Sequence, residues 1–477
     1  MITLSWVTQL HDLSAVEQAA AMRSGQLSPA ELVTHYLDRI GRLDGQVGAF
    51  ITVTTDQAMA AADTAARRLT TGSRNDLPPL FGVPIAIKDL TATAGVRTTL
   101  GSRAYAQYVP VADANLVTLL RAAGTISLGK TNTPEFGISC YTDNDVTGPT
   151  RSPFDLDCNA GGSSGGAAAA VAAGMVPFAH GSDGGGSLRI PASVCGLVGL
   201  KPSRGRISNG PEGGDTHALS VQGPIARTVA DAAAMLDALA VPMPGDPYWA
   251  PPLPPGETFL SYTGREPGRL RIGRYAATAS GAVPDPACVD AWEDVSVLLA
   301  SLGHDVEDIA LPFGPEVTRC FNTVWGVKAL DRAAADEALL RRVTRSWREY
   351  GRAVTGAAYA AAVTTMQVAA RRSIVATAAY DAILTPTLGL PPQPVGYFTE
   401  DGDPLDNLRR QGAFSPYTGV YNMTGQPAVS LPLHWTAGGV PIGVSLVGRP
   451  AGEGPLLSLA AQLERARPWT GHTPPCW

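Results

Sequence analysis

The stretch GSDGGGSLR, residues 181–189, sets three glycines between an aspartate and a serine, with an arginine two positions further on. Such a run can be a flexible linker, a loop that cradles phosphate, or a bed for a reactive hydroxyl. Glycines beside a serine remove bulk, permit positive φ and leave several backbone N–H groups free to point at one spot. Acyl transfer needs that arrangement, because negative charge develops on one oxygen and fixed donors must meet it there. On this reading Gly184, Gly185 and Gly186 form an oxyanion hole and Ser187 is the nucleophile. A second cluster, GGSSGG at residues 161–166, lies just upstream and runs into an Ala-rich stretch, 167–173, read as a buried helix.

Outward from these loops, strand and helix patterns alternate. The run GVPIAI, residues 82–87, ends at Lys88-Asp89 and predicts a buried strand leading into a polar loop. Further strands are predicted at 125–128, 270–272, 380–384, 428–431 and 443–447. Helices are predicted over 56–69, 115–123, 228–239, 286–302 and 456–466, and across an Ala-rich region from about 329 to 379. Ser14 with Glu17, and Ser28 with Pro29 and Glu31, read as capping boxes that open the first helices. The alternation predicts a layered α/β fold.

A chain of 477 residues exceeds one small core, so it holds two or three domains or one large layered one. The Pro-rich run VPMPGDPYWAPPLPPG, residues 241–256, reads as a surface crossing rather than a hinge, because strand signals resume after it. The formal net charge of −6 excludes the basic field of a sequence-independent nucleic-acid binder. The N-terminus lacks the basic start and apolar block of a signal peptide. The least polar stretch, 165–179, is too short and too rich in Ala and Gly to span a bilayer. Six scattered cysteines without a CxxC pair fit the reduced thiols of a cytoplasmic protein. Histidines without HxxxH or HxH spacing give no metal site, and no cofactor is expected.

One motif misleads. GTISLGKT, residues 124–131, satisfies the phosphate-loop pattern G-x-x-x-x-G-K-[ST]. That mechanism needs a strand before the first glycine and a helix at the lysine. Here a helix precedes Gly124 and the loop positions read as strand, so the reading is a helix cap followed by a strand.

A serine nucleophile needs a base. Lysine serves if burial or nearby charge brings its pKa to neutrality, at a cost of roughly 4 kcal/mol. Lys88, at the end of an apolar strand, is the candidate. The segments GVPIAIKD, GKTNTPEFG, GGSSGGAAAAVAAG and GSDGGGSLRIPASVCGLVGLKPSRGRIS together resemble the amidase signature family. The matches are dense over residues 80–210, with weaker echoes at 380–387 and from NMTGQPAVSLP through PIGVSLVG. The resemblance implies one amidase domain over 1–477, with a signature core at about 80–210 and a more variable substrate-lining region at about 241–415. It implies an α/β fold whose central mixed, twisted β-sheet is covered by helices on both faces. It also implies a Ser–cis-Ser–Lys triad: Lys88 as base, Ser163 as the bridging serine after a cis peptide, and Ser187 as nucleophile.

Ser164 is read as a hydrogen-bonding support behind these residues, and Asp183 and Arg189 as bracing the loop electrostatically rather than acting on substrate. The family commonly carries threonine where this chain has Gly184, so a larger acyl pocket is expected. Phe136, Ile138 and Trp325 fall in segments that form pocket walls in the family and would suit an aryl or alkyl acyl group. Within the family the chain resembles bacterial amidases that act on small xenobiotic or cyclic amides, such as the 6-aminohexanoate cyclic-dimer hydrolase branch. The expected partners are a small linear or cyclic amide and water, with no nucleic acid and no membrane, and a homodimer is the expected assembly. The alternatives are the glutaminase subunit of the tRNA-dependent amidotransferase and a hydrolase that prefers esters, hydrazides or carbamates.

Overall fold

The computed structural model describes residues 9–71, 76–212, 218–398 and 403–477. Both predicted capping boxes form: Ser14 and Ser28 accept from the backbone N–H of Glu17 and Glu31, opening helices Ala15–Ser24 and Pro29–Val47. The second helix buries Leu32, Val33, Tyr36, Ile40 and Leu43 along one stripe.

The strands are β1 (Phe50–Val53), β2 (Pro84–Lys88), β3 (Ile126–Thr131), β4 (Arg151–Ser152), β5 (Asp155–Asn159), β6 (Phe178–Asp183) and β7 (Val198–Lys201). They continue with β8 (Val221–Ala226), β9 (Arg271–Arg274), β10 (Asp305–Asp308), β11 (Ala382–Pro386), β12 (Ala428–Trp435) and β13 (Pro441–Gly448). Eleven of them join one sheet in the order β1-β3-β2-β6-β8-β7-β12-β13-β11-β9-β10, and β4 pairs with β5 separately. Pairing is parallel within β3-β2-β6 and within β11-β9-β10, and antiparallel elsewhere, so the sheet is mixed. Helices Pro29–Val47 and Gly165–Ala172 pack on its first half, and Pro286–Ser301 and Glu453–Ala466 on its second.

Strand β2 is buried at every position, as a parallel strand covered on both faces must be. It runs parallel to β6 with Ala86 opposite Ala179 and Ile87 opposite His180. Lys88 and the loop after Asp183 therefore emerge at the same edge, the carboxyl end where α/β sheets open a crevice.

The phosphate-loop pattern resolves as its context predicts. Gly124, at φ +88°, follows helix Asn115–Ala122, and Ile126–Thr131 is strand β3. Lys130 is wholly buried, its Nζ bonded to the Thr91 carbonyl and to the hydroxyls of Thr93 and Thr98 at 3.1 and 3.0 Å. The Ala-rich region at 329–379 is broken into a short turn and two helices, Arg342–Ala353 and Gly356–Ala376, bent by 101°. The break spans Val354 and Thr355, both extended, and the Thr355 side chain caps the second helix by accepting from Ala358 N–H. Among the described residues no single helix is long and apolar enough to cross a membrane.

Candidate active site

Lys88 ends β2 with no exposed surface. Its Nζ lies 2.7 Å from Ser163 Oγ, 2.8 Å from Ser164 Oγ and 3.0 Å from Ser182 Oγ. Burial lowers its pKa to about 7, with the negative charge of Asp183 working the other way. A neutral amine has two N–H groups and one lone pair, so one of the three hydroxyls then donates to Nζ. That places a proton acceptor against Ser163 at neutral pH.

The peptide Gly162–Ser163 is cis, in agreement with the resemblance. Thr133 Oγ1 donates to the Ser163 carbonyl at 2.9 Å, and Ser164 Oγ to the Ser182 carbonyl at 3.1 Å. Ser187 keeps 7% of its surface exposed and lines two cavities. One, of about 470 Å³, is lined by Ser163, Ser182, Gly184, Ser187 and Phe136. The other, of about 660 Å³, is lined by Ser187, Gly185, Val317, Phe321, Trp347 and Met423. Ile138 and Trp325 line both. Lys88 is thus bonded to Ser163, and Ser163, Ser187 and the three expected wall residues line these adjoining cavities.

The glycine loop at 184–187 departs from its reading at Gly186. Its N–H donates to Asp183 Oδ1 at 2.7 Å, so it is committed to a carboxylate and leaves the expected donor set. Among the described residues nothing accepts from the N–H of Gly184, Gly185 or Ser187. Glycine is still required at 186, where φ is +134° and a Cβ would stand 2.2 Å from Thr418 Oγ1. Asp183 braces the loop as expected: it receives Leu188 N–H at 3.2 Å, Arg189 through two bonds of 3.0 Å, and Asn422 Nδ2 at 2.9 Å. Burial alone would raise the Asp183 pKa, but the charge and hydrogen bonds of Arg189, with Lys201 and Asn422, outweigh it and hold it at about 2.

Gly184 does not enlarge the cavity. A Cβ there would lie 3.1 Å from the Trp325 ring, which fills the space.

Ser182, Thr418 and Asn422 were not read from the sequence. Ser182 carried a signal: side chains alternate along β6, so with Asp183 turned toward Arg189, Ser182 must face Lys88. Thr418 Oγ1 donates to the Gly185 carbonyl at 2.5 Å and Asn422 Nδ2 to the Asp183 carbonyl at 2.8 Å. Both come from more than 200 residues away, with no local pattern to mark them.

The profile of the Amidase family matches residues 31–457. The chain belongs to the amidase family. Among its relatives, the 6-aminohexanoate-cyclic-dimer hydrolase of Paenarthrobacter ureafaciens is 36% identical over 96% of each chain. The acylamidase of Rhodococcus erythropolis is 35% identical over 98% of each. The solved structure of a 6-aminohexanoate cyclic dimer hydrolase with substrate superposes with a TM-score of 0.89 at 33% identity, over 98% of this amidase and 99% of that chain. The layered sheet is the amidase signature fold, and the protein is an amide-hydrolysing enzyme.

Proposed function

We propose that this amidase hydrolyses small aryl, alkyl or cyclic amides through an acyl-serine at Ser187. The observation that carries the reading is the wholly buried Lys88, bonded to Ser163 beside a cavity that Ser163 and Ser187 both line. Neutral Lys88 takes the Ser163 proton as Ser163 takes that of Ser187. Ser187 Oγ bonds to the amide carbon, and the carbonyl electrons move to an oxygen held by the N–H groups of Gly184, Gly185 and Ser187. The oxyanion collapses, the C–N bond breaks, and Ser163 passes a proton to the leaving nitrogen while Lys88 reprotonates Ser163. Water then loses a proton through the same relay, adds to the acyl carbon and frees the acid and Ser187.

Protonation from Ser163 requires the leaving amine to sit in the cavity that Ser163 lines. The acyl group then takes the other, lined by Val317, Phe321, Trp347, Val420 and Met423, which supports an apolar acyl part. The cyclic-dimer hydrolase and acylamidase among the relatives are in keeping with this. The reading takes the chain as one cytoplasmic domain acting on a small amide and water. A fluorophosphonate with an alkyl tail is expected to add one label, found by mass on the peptide bearing Ser187, and Ser187→Ala takes none. Labelling elsewhere sinks the nucleophile assignment. On a panel of amides, esters, hydrazides, carbamates and free glutamine, an apolar acyl amide is expected to lead; preference for glutamine would overturn the substrate reading.

A further inference from the structure

Two aromatic rings lie over two successive glycines of the oxyanion loop. Phe321 and Trp325 are four residues apart on helix Glu316–Lys328, so they stand one above the other on one face. Their rings stack at 5.2 Å with an 18° tilt. A Cβ on Gly184 would meet Trp325 at 3.1 Å, and one on Gly185 would meet Phe321 at 3.1 Å. Trp325 Nε1 donates to the Ile138 carbonyl at 3.2 Å, which fixes the ring, and Trp325, like Ser187, lines both cavities. Phe321 lines only the apolar cavity.

We infer that Trp325, seated on Gly184, is the partition between the two cavities and sets the size of acyl group that Ser187 accepts. The inference rests on the acyl-serine reading above and adds what limits the substrate. Gly184 and Trp325 form a complementary pair, in which a side chain at 184 and an indole at 325 compete for one space. Removing the indole opens the wall of the apolar cavity beside Ser187 and makes room there for longer acyl groups, while the leaving amine keeps the cavity that Ser163 lines.

The test is kcat/KM for p-nitroanilides from acetyl to dodecanoyl, measured on wild type, Trp325→Ala, Trp325→Phe, Gly184→Thr and the double variant Gly184→Thr with Trp325→Ala. Trp325→Ala is expected to raise the dodecanoyl-to-acetyl ratio by about tenfold or more. Trp325→Phe moves it less in the same direction and carries the test if the alanine variant fails to fold. Gly184→Thr is expected to lose about tenfold on every substrate with Trp325 present, and about threefold or less without it, because contacting residues are not additive. A loss independent of acyl length in Trp325→Phe and Trp325→Ala, or additive effects of the two positions, overturns the partition. Fluorophosphonate labelling of the same preparations separates the two claims. Full labelling at Ser187 with an unshifted ratio sinks the partition alone, whereas an unlabelled wild type sinks both.

Discussion

Lys88→Met is expected to lower amide turnover by roughly 10⁴-fold while the chain still folds, because it removes the only proton acceptor bonded to Ser163 among the described residues. The pH profile tells this loss from a packing defect. With its pKa lowered by burial to about 7, Lys88 is an effective base above that pH and is protonated below it. Wild-type kcat/KM should therefore fall through a midpoint near pH 7 as the solution is acidified, and the residual activity of Lys88→Met should lack that limb. Stability moves in a linked way. Unfolded, the same amine holds its proton up to about pH 10.5. Between pH 7 and pH 10.5 the unfolded chain binds more protons than the folded one, so wild-type stability rises with pH across that window and is flat below it. The whole difference is about 5 kcal/mol, and methionine has none of it. Urea melts at pH 7 and pH 9.5 should show Lys88→Met gaining on wild type at the lower pH. A stability gap that does not change with pH would mean that Lys88 stays charged in the fold.

Much of this was legible in the sequence because the signals were local. A capping box lies within one turn, as at Ser28 and Glu31, and the apolar run before Lys88 could only be a covered strand. The phosphate-loop pattern at 124–131 could be set aside because a helix cap and a strand are also local signals. The cluster of Lys88, Ser163 and Ser164 was legible because a glycine cluster flanks the two serines, and the resemblance tied that cluster to Lys88. What escaped depends on long-range packing. Nothing near Gly186 says that its N–H will be taken by Asp183, since that depends on how the loop turns back on itself. Nothing near Gly184 says that an indole from residue 325 will occupy the space beside it. The break at Thr355 was hidden by the helix-favouring alanines on either side, which set composition but not continuity.

Arg189→Met is expected to destabilise the fold by about 3–5 kcal/mol, measured by urea melts at neutral pH. Both members of the Asp183–Arg189 pair have fully buried side chains, so removing the cation leaves a carboxylate without its main partner in a place water does not reach. Activity should fall with stability, because that carboxylate holds the N–H groups of Gly186 and Leu188 on either side of Ser187. Arg189 also ties the loop to the Thr418 carbonyl at 3.0 Å and to Asn422 Oδ1 at 2.8 Å. A double variant discriminates between loss of packing and loss of charge balance. Adding Asp183→Asn removes the stranded charge, so Asp183→Asn with Arg189→Met should be more stable than Arg189→Met alone. If the second substitution only adds further loss, the arginine acts through its hydrogen bonds to Thr418 and Asn422 rather than through Asp183. Acid separates the two in the wild type. With a folded pKa of about 2 against 3.8 unfolded, the Asp183 contribution is complete above pH 3.8 and disappears as the pH falls toward 2. The stability difference between wild type and Arg189→Met should therefore narrow as the pH falls toward 2, because acid breaks the native ion pair and also neutralises the carboxylate that the substitution leaves stranded.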